Sequence, residues 1–219
     1  MDVFAVRHGE TAWNVDGRVQ GIADSPLTDR GVAQARAVAG RLAREPLDAL
    51  YSSDLGRARD TALYVAAEAR LEVRLDAGLR ERAYGVLEGK TWEEIASDHP
   101  ESARRLREDP DWVIPGGESL AQFRDRVTST LERIVGQAGA SAIAVVTHGG
   151  VLGILYRVAM DVPLGAPRTY TVVNAGVNHL RHAAGRWQLV RWGDQDHLGE
   201  AAAGDDREPS NRSPGRGAR

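Results

Sequence analysis

The 219-residue chain contains no cysteine, which excludes disulfides, thiolate nucleophiles and zinc–thiolate sites together. It has a single lysine, Lys90, so nearly all of its positive charge is guanidinium. Any anion must then be met by planar forks and backbone amides. Long apolar runs are missing too: no stretch approaches the roughly 20 residues needed to span a bilayer. The opening Met1-Asp2-Val3-Phe4-Ala5-Val6-Arg7 is too short and too soon charged for a signal peptide, and a cytoplasmic location is expected. The formal net charge of -3 gives no reason to expect nucleic acid or an anionic membrane as partner. Neither a paired-aspartate motif nor a His-x-x-x-His is present, so no metal and no cofactor is expected.

What is present suits one sizeable α/β domain. Hydrophobic residues make up 42% and charged residues 27%, a balance that fills a core without leaving the surface bare. Val3 to Val6 reads as a buried strand that stops at Arg7-His8-Gly9. Thr28 caps a helix running to about Glu45, with Val32, Ala35, Val38, Ala39 and Leu42 in one stripe. Asp48 to Ser52 is a second strand, Leu55 to Ala69 a helix, and Leu71 to Leu75 a half-exposed strand. Thr91-Trp92-Glu93-Glu94 is a capping box opening a short helix that Pro100 ends. After the Pro115-Gly116-Gly117 turn, Ser119 starts a helix to about Gln137.

Ala142 to Thr147 is continuously apolar until its last residue, the pattern of a central strand covered on both faces. It ends at His148-Gly149-Gly150 and passes into a helix over Val151 to Met160. Tyr170 to Asn174, Val177 to His182 and Trp187 to Trp192 read as strands, the last two joined around Ala184-Gly185. The alternation predicts a three-layer α/β/α fold with a mostly parallel central sheet. Beyond about His197 the composition turns to Gly, Ala, Asp, Glu, Ser, Pro and Arg. The domain is therefore expected over 1–197, with 198–219 a disordered tail.

The two His-Gly turns fall after the first strand and after the central one. Ligands of open α/β sheets sit beyond the carboxyl ends of the strands, so His8 and His148 can meet at one pocket. A helix N-terminus beside His148 favours an anion. Histidines at strand ends are more often structural than catalytic, and His99, His179, His182 and His197 receive only that reading. His8 differs in its neighbours: Arg7 before it, Thr11 and Asn14 after it, and Gln20-Gly21 closing a polar loop.

Arg7-His8-Gly9-Glu10-Thr11-Ala12-Trp13-Asn14 resembles the signature of the histidine phosphatase superfamily, in its phosphoglycerate-mutase-like branch. The blocks Gln20-Gly21 with Asp24-Ser25-Pro26-Leu27-Thr28, Ser52 to Ala58, Leu79-Arg80-Glu81 with Gly85, Pro115 to Ser119 and Val146 to Gly150 follow in order. The likeness spans about residues 3 to 195. It implies that His8 is transiently phosphorylated, that Arg7, Arg57 and His148 surround the phosphoryl group, and that Asn14 and backbone amides assist. Glu81 would protonate the leaving oxygen and then deprotonate the attacking water. Gln20, Gly21, Arg82, Tyr84 and Gly149 are expected to bind substrate, with Arg82, Tyr84 and Glu88 on the leaving-group side.

The chemistry asks for these residue types. Phosphoryl transfer is mostly positioning and charge stabilisation, which arginine forks supply where a metal does not. Two arginines also depress the proton affinity of His8, and an acceptor at its other nitrogen fixes the tautomer. Arg57 and Arg59 lie two apart and face different ways on a helix, so both should not reach the phosphate. The expected activity is a metal-independent phosphomonoester hydrolase acting on a small phosphorylated metabolite. Phosphoglycerate mutase is the alternative. That reading is weakened by Val19-Gln20-Gly21-Ile22, by the short interval from Glu81 to His148 and by Trp92 where a lysine is typical. An inactive phosphate-binding module is the alternative of another class. A small phosphate ester is the expected partner, and a homodimer the expected assembly if the chain self-associates. Gly89 to Pro115 is expected to form a lid, with Trp13 and Trp92 either pocket walls or packing.

Overall fold

The computed structural model describes residues 1–199. Six strands form one sheet: β1 (Asp2–Arg7), β2 (Ala49–Ser52), β3 (Val73–Leu75), β4 (Ala142–Thr147), β5 (Val177–Ala183) and β6 (Arg186–Asp194). Their order is β3-β2-β4-β1-β5-β6, with parallel pairing from β3 through β1 and antiparallel pairing of β5 with both neighbours. Only β5 therefore runs against the rest. The helices are α1 (Ala12–Val15), α2 (Asp29–Leu42), α3 (Gly56–Ala69), α4 (Trp92–Asp98), α5 (Pro100–Glu108), α6 (Leu120–Gln137) and α7 (Gly149–Met160).

The alternation of side chains along the central strands sorts them into two cores. Val3, Ala5, Tyr51, Ile143 and Val145 pack with Phe123, Val127 and Leu131 of α6 and Val151, Leu152 and Leu155 of α7. Phe4, Val6, Leu50, Ala144 and Val146 face the other way, onto Val38, Ala39 and Leu42 of α2 and Ala58, Ala62 and Val65 of α3. This is the expected three-layer α/β/α arrangement. A third, small core of Val19, Leu87, Ile95 and Ile114 lies apart and supports the segment from Tyr84 to Trp112.

Several boundaries differ from the sequence reading. The helix expected to about Glu45 ends at Leu42, because Pro46 disfavours helical backbone at the residue before it. Pro100 ends α4 and also occupies the first turn of α5, where its missing N–H costs nothing. Tyr170 to Asn174 is not a strand. Its carbonyls are held by side chains instead: Trp192 Nε1 donates to Thr171 O at 2.7 Å and Arg7 to Val172 O at 2.8 Å. The chain then turns at Ala175, φ +56°. Leu198, assigned to the tail, is buried against the α2–α3 core. The rest of the expected tail, from residue 200, lies outside the described residues. Among the described residues, no helix is long and apolar enough to cross a membrane.

Candidate active site

Three adjacent parallel strands deliver the site. Their ladder continues past their ends, with His8 N donating to Thr147 O at 2.9 Å and Ser53 N to Val146 O at 3.0 Å. His8, His148 and Ser53 therefore stand side by side at the carboxyl edge of β1, β4 and β2, where α/β sheets bind ligands. The two imidazoles are buried, with ring centroids 5.2 Å apart. Gly9 is required by its surroundings, since a Cβ there would collide with Gly31 O.

His8 Nδ1 lies 2.7 Å from Gly9 O. A carbonyl only accepts, so Nδ1 carries the proton and Nε2 keeps its lone pair. Burial holds the His8 pKa well below the usual histidine range, and the charges of Arg57 and Arg7 push it the same way. The sequence reading named the arginines; burial is the larger cause. His148 is shifted in the same direction, first by burial, then by Arg57, His8, Arg7 and Arg126. Its Nε2 lies 2.8 Å from Ser53 Oγ, which already accepts from Leu55 N at 3.3 Å. The hydroxyl keeps its own proton and can donate it to Nε2, an arrangement in which the His148 proton sits on Nδ1. Nδ1 is buried and has no protein partner.

Arg7 is buried and donates through Nη1 to Val172 O. Arg57, on the first turn of α3, is also buried. It donates through Nη1 to Ala23 O at 2.8 Å and Asp24 Oδ1 at 3.0 Å, and through Nη2 to Gly21 O at 2.7 Å. Its Nε has no partner, so the Nε–Nη2 edge remains open. Arg59 turns away and pairs with Asp60, as expected from its spacing. Glu81 accepts from Arg82 N at 2.8 Å and from Gly150 N, at the start of α7, at 2.9 Å. A side chain at Gly150 would collide with Glu81 Oε1. Gly149 opens α7 directly after His148, where helix amides lack intrahelical partners.

The remaining expected residues divide. Asn14 Oδ1 accepts from Thr11 N and Thr11 Oγ1, both at 3.1 Å, and from Asn174 Nδ2 at 3.3 Å. Gln20 is buried with Oε1 unbonded. Arg82 is buried too, but its Nε and Nη2 hold Glu118 O, and its guanidinium lies over the Tyr84 ring. Tyr84 meets Trp92 edge-on at 6.1 Å.

Sequence reasoning missed two supports. Asn174 Nδ2 donates to His8 O at 2.8 Å, from a segment read as strand. Arg126 of α6 donates to the carbonyls of Gly78, Arg80 and Glu81 and pairs with Glu118, which also accepts from Ala83 N. Glu118 stands within a motif noted in the sequence, but nothing local announced its partner. Among the described residues, no group of three or more His, Asp or Glu is placed to hold a metal ion.

Residues 3–195 match the profile of the histidine phosphatase superfamily (branch 1). The chain is 41% identical over 204 residues to phosphoglycerate mutase-like protein 4 of Arabidopsis thaliana, covering 91% of this chain and 87% of that protein. It is also 41% identical over 204 residues to a metal-independent phosphoserine phosphatase of the same plant, covering 90% and 83%. Among solved structures, the α-ribazole phosphatase of Shigella flexneri superposes with a TM-score of 0.80 at 28% identity, covering 89% of this chain and 96% of that one.

Proposed function

Because the chain belongs to the histidine phosphatase superfamily, branch 1, we propose that it is a metal-independent phosphomonoester hydrolase working through a phosphohistidine at His8. The observation that carries this reading is the fixed tautomer of His8: Nδ1–H on Gly9 O, Nε2 unprotonated, with Arg57 and Arg7 beside it. Nε2 attacks phosphorus as the P–O ester bond breaks, and Glu81 gives its proton to the leaving oxygen. Glu81 then takes a proton from water, whose oxygen attacks phosphorus. The P–N bond breaks, phosphate leaves and His8 is restored.

Arg7, the open edge of Arg57 and the Nδ1–H of His148 would meet the charge spread over the equatorial oxygens. A backbone donor on each carboxyl oxygen of Glu81 suits its carboxylate form. An arriving phosphate ester adds negative charge beside it and favours the protonated form that the first step needs. Metal independence is supported by the arginine-rich wall and by the name of the plant phosphatase relative. The Arg104–Arg105 pair, which a mutase reading could enlist, lies on an exposed helix face and binds Glu101 and Glu108.

The substrate class is a small phosphorylated metabolite, a group that includes sugar phosphates, phosphoglycerate derivatives, phosphoserine and ribazole phosphate. Rapid quenching under non-acidic conditions with labelled substrate should trap an acid-labile phosphoenzyme, in chelator as well as without it. A trapped phosphoserine, or activity that needs added magnesium, overturns the mechanism. Interconversion of 2- and 3-phosphoglycerate outrunning phosphate release tenfold would assign the chain to the mutases instead.

A further inference from the structure

Glu88 makes a set of contacts that the proposed chemistry does not use. It follows a 3₁₀ turn over Gly85–Leu87, and its carboxylate takes three backbone amides: Ile22 N at 3.0 Å and Tyr84 N at 2.9 Å on Oε1, and Ala23 N at 3.0 Å on Oε2. The approach is close enough that Gly21, φ +56°, has no room for a Cβ beside Glu88 Oε1. From the opposite side, the carbonyls of Gly21 and Ala23 accept from Arg57. The strip from Gly21 to Asp24 is thus gripped by a carboxylate through its amides and by a guanidinium through its carbonyls.

The donor count on Arg57 shows what the grip achieves. A guanidinium carries five N–H groups. Two on Nη1 go to Ala23 O and Asp24 Oδ1, and one on Nη2 goes to Gly21 O. What remains is the Nε–H, which has no partner, and one Nη2–H beside it. That pair is the parallel fork that binds phosphate oxygens bidentately. Its direction is set by two carbonyls whose own positions are set by Glu88.

We propose that Glu88 is a positioning residue for Arg57, fixing through Ile22 and Ala23 the carbonyls that aim the open guanidinium edge at the phosphoryl group. Through Tyr84 N the same carboxylate ties the start of the 3₁₀ turn to that alignment. This role rests on the phosphoryl site proposed above, and it makes a prediction opposite in sign to simple electrostatics. Removing a negative charge from the vicinity of a phosphate should tighten phosphate binding. Removing the residue that aims Arg57 should weaken it.

The test is inorganic phosphate affinity, measured by calorimetry on the full chain, for wild type, Glu88→Gln, Arg57→Gln and the double variant. Glu88→Gln should bind phosphate at least tenfold more weakly. It should also lower kcat by on the order of 10², the scale of an ångström-sized misplacement, with a smaller change in KM. In the Arg57→Gln background the same change should cost less than about threefold, because coupled residues are not additive. Gly21→Ala, which strains the contact from the other side, should reproduce Glu88→Gln and serves if that variant does not fold. Tighter or unchanged phosphate binding, or fully additive losses, overturns the assignment. Failure to trap a phosphohistidine in the wild type would instead sink the hydrolase mechanism, and the phosphate-binding cycle would still report on Glu88.

Discussion

The two sides of the site rest on different foundations. His8 and His148 extend from β1 and β4, strands whose neighbours are packed by helices on both faces of the sheet. Tyr84, Glu88 and the turn after them rest on a separate core of Val19, Leu87, Ile95 and Ile114. Close packing at native density leaves the first group little freedom. Regions with few buried apolar contacts open locally at lower free energy than the whole fold. The contrast suits a division of labour in which the proposed phosphoryl chemistry would sit on the rigid half and the selection of its leaving group on the adaptable one.

Removing the nucleophile tests the rigid half most severely. His8→Ala should abolish turnover while the circular dichroism spectrum and unfolding midpoint stay near those of wild type. Normal turnover by the variant would end the assignment of His8. Glu81→Gln should come next in size. A positioned acid or base contributes on the order of 10² to 10⁴, so alkyl phosphates should lose that much while nitrophenyl phosphate, whose leaving group needs little protonation, loses far less. Equal losses on both substrates would remove the acid role.

Two truncations compare the foundations directly. Ile143 and Ile95 are both fully buried, and replacing either by Ala costs about 2–5 kcal/mol. For Ile143→Ala the cost should appear in global unfolding, as a lower midpoint in urea. For Ile95→Ala it should appear as faster amide exchange confined to α4 and α5, with a smaller shift in the midpoint. Equal shifts for the two variants would show that the small core around Ile95 is part of one cooperative unit.

The smallest expected effect is on pH-dependent stability. His8 and His148 have pKa values held well below the usual range, chiefly by burial. In the unfolded chain each takes up a proton near the ordinary value of about 6.5. Below that pH the unfolded state binds more protons than the folded one, so stability falls as pH falls. Each histidine adds about 1.4 kcal/mol per pH unit to the slope while it remains neutral in the fold. His148→Gln should remove one such contribution between pH 6 and pH 5, read by urea unfolding. An unchanged slope would mean that His148 is protonated in the native site.

Much of this was legible in the sequence because the informative residues are punctuation. Apolar runs that stop at His-Gly turns mark strand ends, and strand ends share one edge of the sheet. Thr28, Thr91 and Ser119 were readable as caps, and each does accept from the backbone amide three residues on. What stayed hidden depended on partners far along the chain. Asn174 sits in a β-branched run that looks like a strand, and the distant side chains of Arg7 and Trp192 take carbonyls there that a ladder would have paired. Arg126 lies on the polar side of an amphipathic helix, where surface exposure is the default reading, until the carbonyls of Gly78, Arg80 and Glu81 converge on it. Helix α5 was missed because its apolar side is only Ala103 and Leu106, facing the small third core.

Lys90 gives the molecule an unusual chemical handle. It lies just before α4, its carbonyl accepting from Val19 N and its ammonium 3.7 Å from Asp98. Because the sequence contains no other lysine, the one competing amine is the N-terminus, which donates to His182 O at the opposite edge of β1. An acylating dye applied near pH 9 therefore attaches at one side chain or at one chain end, and the two products separate by peptide mapping. Lys90 follows Gly89, where an added Cβ would lie 3.4 Å from the Trp13 ring, and stands two residues before Trp92, so the emission of a fluorophore on it would report on that segment without a single engineered residue.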